Sequence, residues 1–132
     1  SWVPMLSGTN ETSSSSQAII TANGNAACRF DVSGSLMCQS TRATNPNNWD
    51  EATHGKAQSR VTMSTNSVPN YEIKGRNDPG GITNFDNYQT LATGSTVTYY
   101  GMTCKASSGT TMHCVGAKGG FTVSPEGMGM DP

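Results

Sequence analysis

Charge, aromatic rings and large aliphatic side chains are all in short supply in this chain, and each shortage closes off a class of protein. Charged residues occupy only 13% of the 132 positions, the eight basic and nine acidic side chains are scattered, and the formal net charge is −1. A nucleic-acid binder needs a basic stripe to neutralise phosphates, so no nucleic acid is expected as a partner. No apolar run approaches the roughly 20 residues that a membrane-spanning helix requires, so no membrane-spanning segment is expected in this chain. No signal peptide is visible, and Ser1 stands where an initiating Met would be, which fits a leader or anchor removed either by processing or by the choice of the segment. Helical periodicity is nowhere sustained, which excludes a coiled coil. With 33% hydrophobic and 7% aromatic residues, even a chain long enough to bury about two thirds of its unfolded surface has a thin core.

What the chain does have is abundant Gly, Ser, Thr and Asn, together with four cysteines. That composition suits short strands joined by many turns within one domain. Residues 98–123 read as a stapled hairpin. Two runs rich in Thr, Val, Met and aromatics flank Ser107-Ser108-Gly109, and each carries one cysteine, Cys104 and Cys114. Cys28 and Cys38 repeat the design around Ser33-Gly34, also ten positions apart. Four cysteines permit three connectivities. Pairing Cys28 with Cys38 and Cys104 with Cys114 is favoured because each bond then closes one hairpin. On the chain-entropy account, a loop of about eleven residues stabilises by about 2.7 kcal/mol. Zinc is the competing use, but structural zinc sites usually bring two ligands within about two to four residues. Here nine residues separate the members of each pair. Disulfides in turn imply an oxidising, extracytoplasmic compartment.

Along the chain, residues 1–16 are expected to form an N-terminal arm and Ser-rich loop, because Pro4 bars the first segment from a central strand and residues 12–16 are linker-like. Asn10-Glu11-Thr12 matches the N-glycosylation acceptor pattern. Residues 17–124 are expected to be a single β domain. Strands at 17–21 and 26–30 flank Asn23-Gly24-Asn25, whose Asn-Gly pair suits a type I′ hairpin turn, and a strand at 36–40 completes a meander. Trp49-Asp50-Glu51-Ala52 reads as a short helical turn. Residues 60–63 and 71–74 read as alternating strands linked through Val68-Pro69-Asn70. Residues 75–87 are turn chemistry throughout, residues 95–100 lead into the second hairpin, and Gly119-Gly120 is expected to bend the chain before Phe121. Residues 125–132 are expected to be a flexible tail. The fold class is all-β, a small antiparallel sandwich or partly open barrel of about eight to ten strands with two disulfide-stapled hairpins.

Two blocks carry a resemblance. The first is Thr21-Ala22-Asn23-Gly24-Asn25-Ala26-Ala27-Cys28 running on to Cys38. The second comprises Leu91-Ala92-Thr93-Gly94, Cys104, Cys114 and Gly119-Gly120-Phe121-Thr122-Val123-Ser124. In order and spacing they resemble a group of secreted proteins and lipoproteins from actinobacteria, in particular mycobacteria and corynebacteria, without an assigned activity. The blocks cover roughly half of the chain. The group often has a histidine between the two glycines before the phenylalanine, which this chain lacks, and Pro125-Glu126 stands where a basic residue often follows the serine. The resemblance implies an extracytoplasmic, disulfide-stapled β domain, secreted or anchored at the cell surface, and it supplies no catalytic residue.

The residues that could carry chemistry are few. His54 lies in a polar loop and His113 in a strand beside Cys114, and neither is accompanied by a Gly-x-Ser-x-Gly motif, so a Ser-His-Asp hydrolase is not expected. Asp50 and Glu51 are adjacent and diverge, which does not suit paired-carboxylate glycoside cleavage. Asn77, Asp78, Asn84, Asp86 and Asn87 offer oxygen ligands in the loop 77–87, but without EF-hand spacing calcium is not predicted. Among seven methionines, Met102 and Met112 beside His113 are the nearest to a Cu(I) set, yet Met serves a thin core better as a gap-filler. No metal and no cofactor is expected. The remaining handle is aromatic: Trp49 in an Asn-rich loop, with Tyr71 and Tyr88, forms a possible ligand-binding surface on a rigid β scaffold. The sequence thus points to a non-enzymatic secreted or cell-surface module that binds a cell-envelope component, a glycan or a surface protein. The alternative is a structural or accessory subunit, or a sensor domain, of an extracytoplasmic assembly, and a hydrolase comes third.

Overall fold

A computed structural model describes residues 17–31, 34–44, 50–75 and 88–131. The strands β1 (Gln17–Thr21), β2 (Ala26–Asp31), β3 (Ser35–Thr44), β4 (Ala57–Ser64) and β5 (Asn70–Gly75) follow one another as an antiparallel meander. Strand β6 (Gln89–Leu91) then returns to the far side and pairs with β1, giving a six-stranded sheet in the order β5-β4-β3-β2-β1-β6. The strands β7 (Thr96–Tyr99), β8 (Met102–Ala106), β9 (Met112–Gly116), β10 (Gly119–Ser124) and β11 (Gly127–Met130) form a second meander, a five-stranded sheet in the order β11-β10-β9-β8-β7. The fold is therefore the expected all-β sandwich.

Period-two alternation decides which side chains meet between the sheets. From the five-stranded sheet, Val97, Tyr99, Met102, Cys104, Ala106, Met112, Cys114, Phe121 and Val123 point inward and are buried. Their neighbours along the strands, Thr103, Lys105, His113 and Thr122, face the other way and are at least partly exposed. The six-stranded sheet supplies Ile19, Cys28, Phe30, Leu36, Cys38, Val61 and Met63 to the same cluster. Phe30 and Tyr99 meet across the gap with ring centroids 5.4 Å apart and planes tilted by 47°, a favourable aromatic geometry.

The six-stranded sheet also buries part of its outer face. Ala27 and Met37 form a second apolar cluster there, with Ile20 and Tyr88 packed against it. In the same face Gln39, Gln58 and Arg60 are almost wholly buried, and they satisfy one another. The Gln39 amide donates to Gln58 Oε1 at 2.8 Å, Arg60 Nε donates to Gln39 Oε1 at 3.0 Å, and Arg60 Nη2 donates to the Gly75 carbonyl at 3.2 Å. A guanidinium stays charged inside a protein, so these bonds help to make its burial tolerable.

Several local expectations need correction. There are eleven strands among the described residues, and one pairing, β1 with β6, is parallel. The type I′ turn does not form at Asn23-Gly24. Instead Gly24 N donates to the Thr21 carbonyl at 2.8 Å, and Thr21 Oγ1 accepts from Asn25 N and Ala26 N, both at 3.2 Å, making a wider loop. The two-residue turn with positive φ at both positions is Tyr100-Gly101, at +53° and +79°, joining β7 to β8. The bend expected at Gly119-Gly120 comes earlier, at residues 117–118, and those two glycines open β10. Within the segment expected to be a flexible tail, β11 pairs with β10 from Ser124–Gly127 to Phe121–Met130. Adding a strand to an existing edge satisfies backbone groups without needing β-branched side chains, which explains how Gly127-Met128-Gly129-Met130 can form one.

Candidate functional site

The two hairpins carry their cysteines at directly opposed positions, Cys28 with Cys38 and Cys104 with Cys114. Both pairs are bonded, with S–S distances of 2.02 and 2.08 Å, and neither bond crosses between the sheets. All four cysteines face inward and are fully buried. Because the sheets stack face to face, the two disulfides touch: Cys38 Sγ lies 3.6 Å and Cys28 Sγ 3.9 Å from Cys114 Sγ. No thiol hydrogen remains in a disulfide, so these are van der Waals contacts. The core of the sandwich is thus a four-sulfur centre, two atoms from each sheet, for which no local pattern in the chain is a signal.

The aromatic set disperses. Trp49 lies outside the described residues, as do Asn10 and the loop residues 77–87. Tyr71 sits on β5, the edge of the six-stranded sheet, directly opposite Val61 and 47% exposed, with its hydroxyl 3.4 Å from Ser59 Oγ. Tyr88 precedes β6 at the other edge and is half-buried against Ala27, Met37 and Ile20. Burial pushes its phenol pKa above the ordinary 10.0, with the nearby Arg29 pulling the other way. Arg29 also pairs with Asp31 at 3.5 Å. Tyr71 and Tyr88 therefore belong to opposite margins of one sheet, and no single surface contains both.

A concave feature does lie at one end of the six-stranded sheet. Where β3 begins, β4 ends and β5 begins, Ser35, Thr62, Met63, Ser64, Ser67, Val68 and Asn70 line an open groove of about 320 Å³. Its rim is built by the β4–β5 turn, where Ser67 Oγ accepts from Ser64 N at 2.9 Å and from Ser64 Oγ at 2.8 Å. Val68 is 63% exposed at its edge. Four hydroxyls and one carboxamide surround a small apolar floor, a lining suited to a neutral polyhydroxyl or peptide-like group. The Val68-Pro69-Asn70 link marked this stretch as a turn in the sequence, but only the neighbouring start of β3 makes it a groove.

The two histidines are placed apart. His54 ends the four-residue helix α1 (Glu51–His54), whose N-cap Asp50 accepts from Ala52 N and Thr53 N and from the Thr53 hydroxyl. These bonds, the Thr53 hydroxyl foremost, hold the Asp50 carboxyl below the usual value. His113 lies on the outer face of the five-stranded sheet, opposite Thr122 and Lys105. Its Nε2 meets the Asp131 carboxylate at 2.9 Å, and the Asp131 backbone is tied to Gly120. The result is a solvent-facing His–Asp pair. Among the described residues no serine hydroxyl hydrogen-bonds to His113.

Fold and site together define a disulfide-locked β-sandwich with a hydroxyl-lined edge groove. No family model, no curated protein and no solved structure matches the chain.

Proposed function

We propose that this chain is a non-enzymatic, extracytoplasmic β module, secreted or held at the cell surface, that binds a cell-envelope component, a glycan or a surface protein. The observation that carries the reading is the groove of Ser35, Thr62, Ser64, Ser67, Val68 and Asn70, open to solvent. Hydroxyls and a carboxamide beside apolar groups are what hydrogen-bonds to and packs on sugars and peptides. The two buried disulfides support an oxidising compartment. The resemblance to secreted proteins and lipoproteins of actinobacteria agrees with that placement.

The test is retention of the protein on purified envelope polysaccharide and on intact cell envelopes, comparing wild type with Tyr71→Ala, Ser67→Ala/Val68→Asp and Trp49→Ala. Loss of retention in the groove variants, with folding unchanged, supports the reading. Retention unaltered in all three removes the groove, Tyr71 and Trp49 from it. A second reading is supported by the exposed Val68, Val115 and Met130 and by edge strands at β5, β7 and β11: a structural or accessory subunit, or a sensor domain, of a larger extracytoplasmic assembly. A stoichiometric protein partner that co-purifies from envelopes and is lost on Val115→Asp or Met130→Asp would favour it.

A further inference from the structure

The centre of the sandwich has the donor set of a structural zinc site. Four cysteine Sγ atoms, two from each sheet, lie within 4.8 Å of one another, and all four residues are buried. A tetrahedral zinc ion with Zn–S bonds of about 2.3 Å places its sulfurs about 3.8 Å apart. Of the four distances between the sheets, the two to Cys114, 3.6 and 3.9 Å, already match that edge, and the two to Cys104 are no longer than 4.8 Å. The two covalent edges are far shorter, and reduction opens those. The long spacing within each cysteine pair argues against zinc for a hairpin taken alone. Cross-strand register supplies what spacing does not, because Cys28 is opposite Cys38 and Cys104 is opposite Cys114.

We propose that the reduced chain binds one thiophilic divalent ion, zinc above all, in a tetrathiolate site made by Cys28, Cys38, Cys104 and Cys114 between the two sheets. A phosphine reduces each disulfide by two electrons and becomes a phosphine oxide with the oxygen of one water, while two protons go to the sulfurs. Two phosphines therefore yield four thiols. The entering ion displaces four protons and leaves a complex of net charge −2. Such a charge is costly in an apolar core, so the site selects ions that bond strongly to sulfur and rejects magnesium and calcium. The ion closes the same two hairpins that the disulfides close and also joins sheet to sheet, which the disulfides do not. Sulfur bonded to sulfur cannot serve as a thiolate ligand, so the oxidised and metal-loaded states exclude each other.

The experiment uses the full chain, reduced with a phosphine without oxygen, desalted, and titrated with Co²⁺ and then Zn²⁺. The expected result is one cobalt per chain, the strong visible absorption of a tetrahedral cobalt tetrathiolate, its loss on adding one equivalent of zinc, and a near-ultraviolet circular dichroism signal like that of the oxidised protein. Cys38→Ser/Cys104→Ser, which takes one ligand from each sheet, should weaken cobalt binding by about a hundredfold or more. Cys28→Ser/Cys38→Ser, which leaves one sheet without ligands, should do the same. Failure to take up cobalt overturns the proposal, as does a spectrum without tetrathiolate bands or a chain that stays unfolded with zinc present. Equal affinity in urea, or undiminished binding in the single-hairpin variant, overturns it too, because the fold would then not be making the site.

Discussion

The two sheets bury their side chains by different rules. In the five-stranded sheet the division is simple: Met102, Cys104 and Ala106 go inward while Thr103 and Lys105 go outward. In the six-stranded sheet β4 is buried on both faces over residues 57–61, and what it buries on the outer face is Gln58 and Arg60. Hydrogen bonds take the place of apolar contact there, so a polar pattern that reads as solvent-facing in sequence belongs to the interior. Alternation reports a face only when that face is covered by apolar groups.

The largest effect that would sharpen the comparison comes from the disulfides. Both close loops of the same sequence separation, so the entropic contribution is equal, about 2.7 kcal/mol each. Cys28→Ala/Cys38→Ala and Cys104→Ala/Cys114→Ala should each lose about 3–5 kcal/mol in chemical denaturation, the excess coming from the cavity at the sulfur centre. A difference between the two variants then measures how well each sheet repacks.

Next is the buried polar face. Gln39→Ala strips Arg60 Nε and the Gln58 carboxamide of a partner at once and should cost about 2–4 kcal/mol. Lys105→Ala, on the exposed outer face of the other sheet, should stay within about 0.5 kcal/mol of wild type. If urea midpoints show the two variants alike, the contrast between the sheets is wrong. A smaller effect tests the β7–β8 turn: Gly101→Ala forces a side chain to a φ of +79° and should cost about 1–2 kcal/mol, read as a lower denaturation midpoint.

The smallest effect concerns Tyr88, at the margin of the doubly buried sheet. Its phenol ionises at higher pH folded than unfolded. The neutral form is the one the fold favours, so the contribution is fully present below 10.0 and is lost as pH rises from there through the folded value. An alkaline titration followed by phenolate absorbance should lose a late-ionising component in Tyr88→Phe.

Much of the architecture was legible because it is local. Residues 17–21 formed the expected strand, and both cysteine pairs closed their own hairpins, since a turn cluster and a matched spacing specify cross-strand neighbours. Strand β6 was not legible: three residues pairing in parallel with β1, about 70 positions away in sequence, leave no periodic trace. Nor was β11, whose Gly-Met repeat has low strand propensity and forms by borrowing the edge of β10. The type I′ turn at Tyr100-Gly101 was missed because Tyr at positive φ is uncommon. Packing secures it: Tyr100 lies against the core cluster and stacks with Tyr99 at 6.1 Å. Tyr71 could be named from its strand, but the groove lined by Thr62 and Asn70 needed the start of β3.

The amino-acid order by itself determined the strands of each hairpin and which cysteines bond, because both depend on neighbours within about a dozen residues and on backbone geometry that local side chains set. Only the tertiary structure decided that the two disulfides touch, that an arginine is buried on a sheet's outer face, and that three strand ends enclose a groove. Those outcomes depend on how one sheet lies on another, and that is settled by the combined packing of residues far apart in the chain.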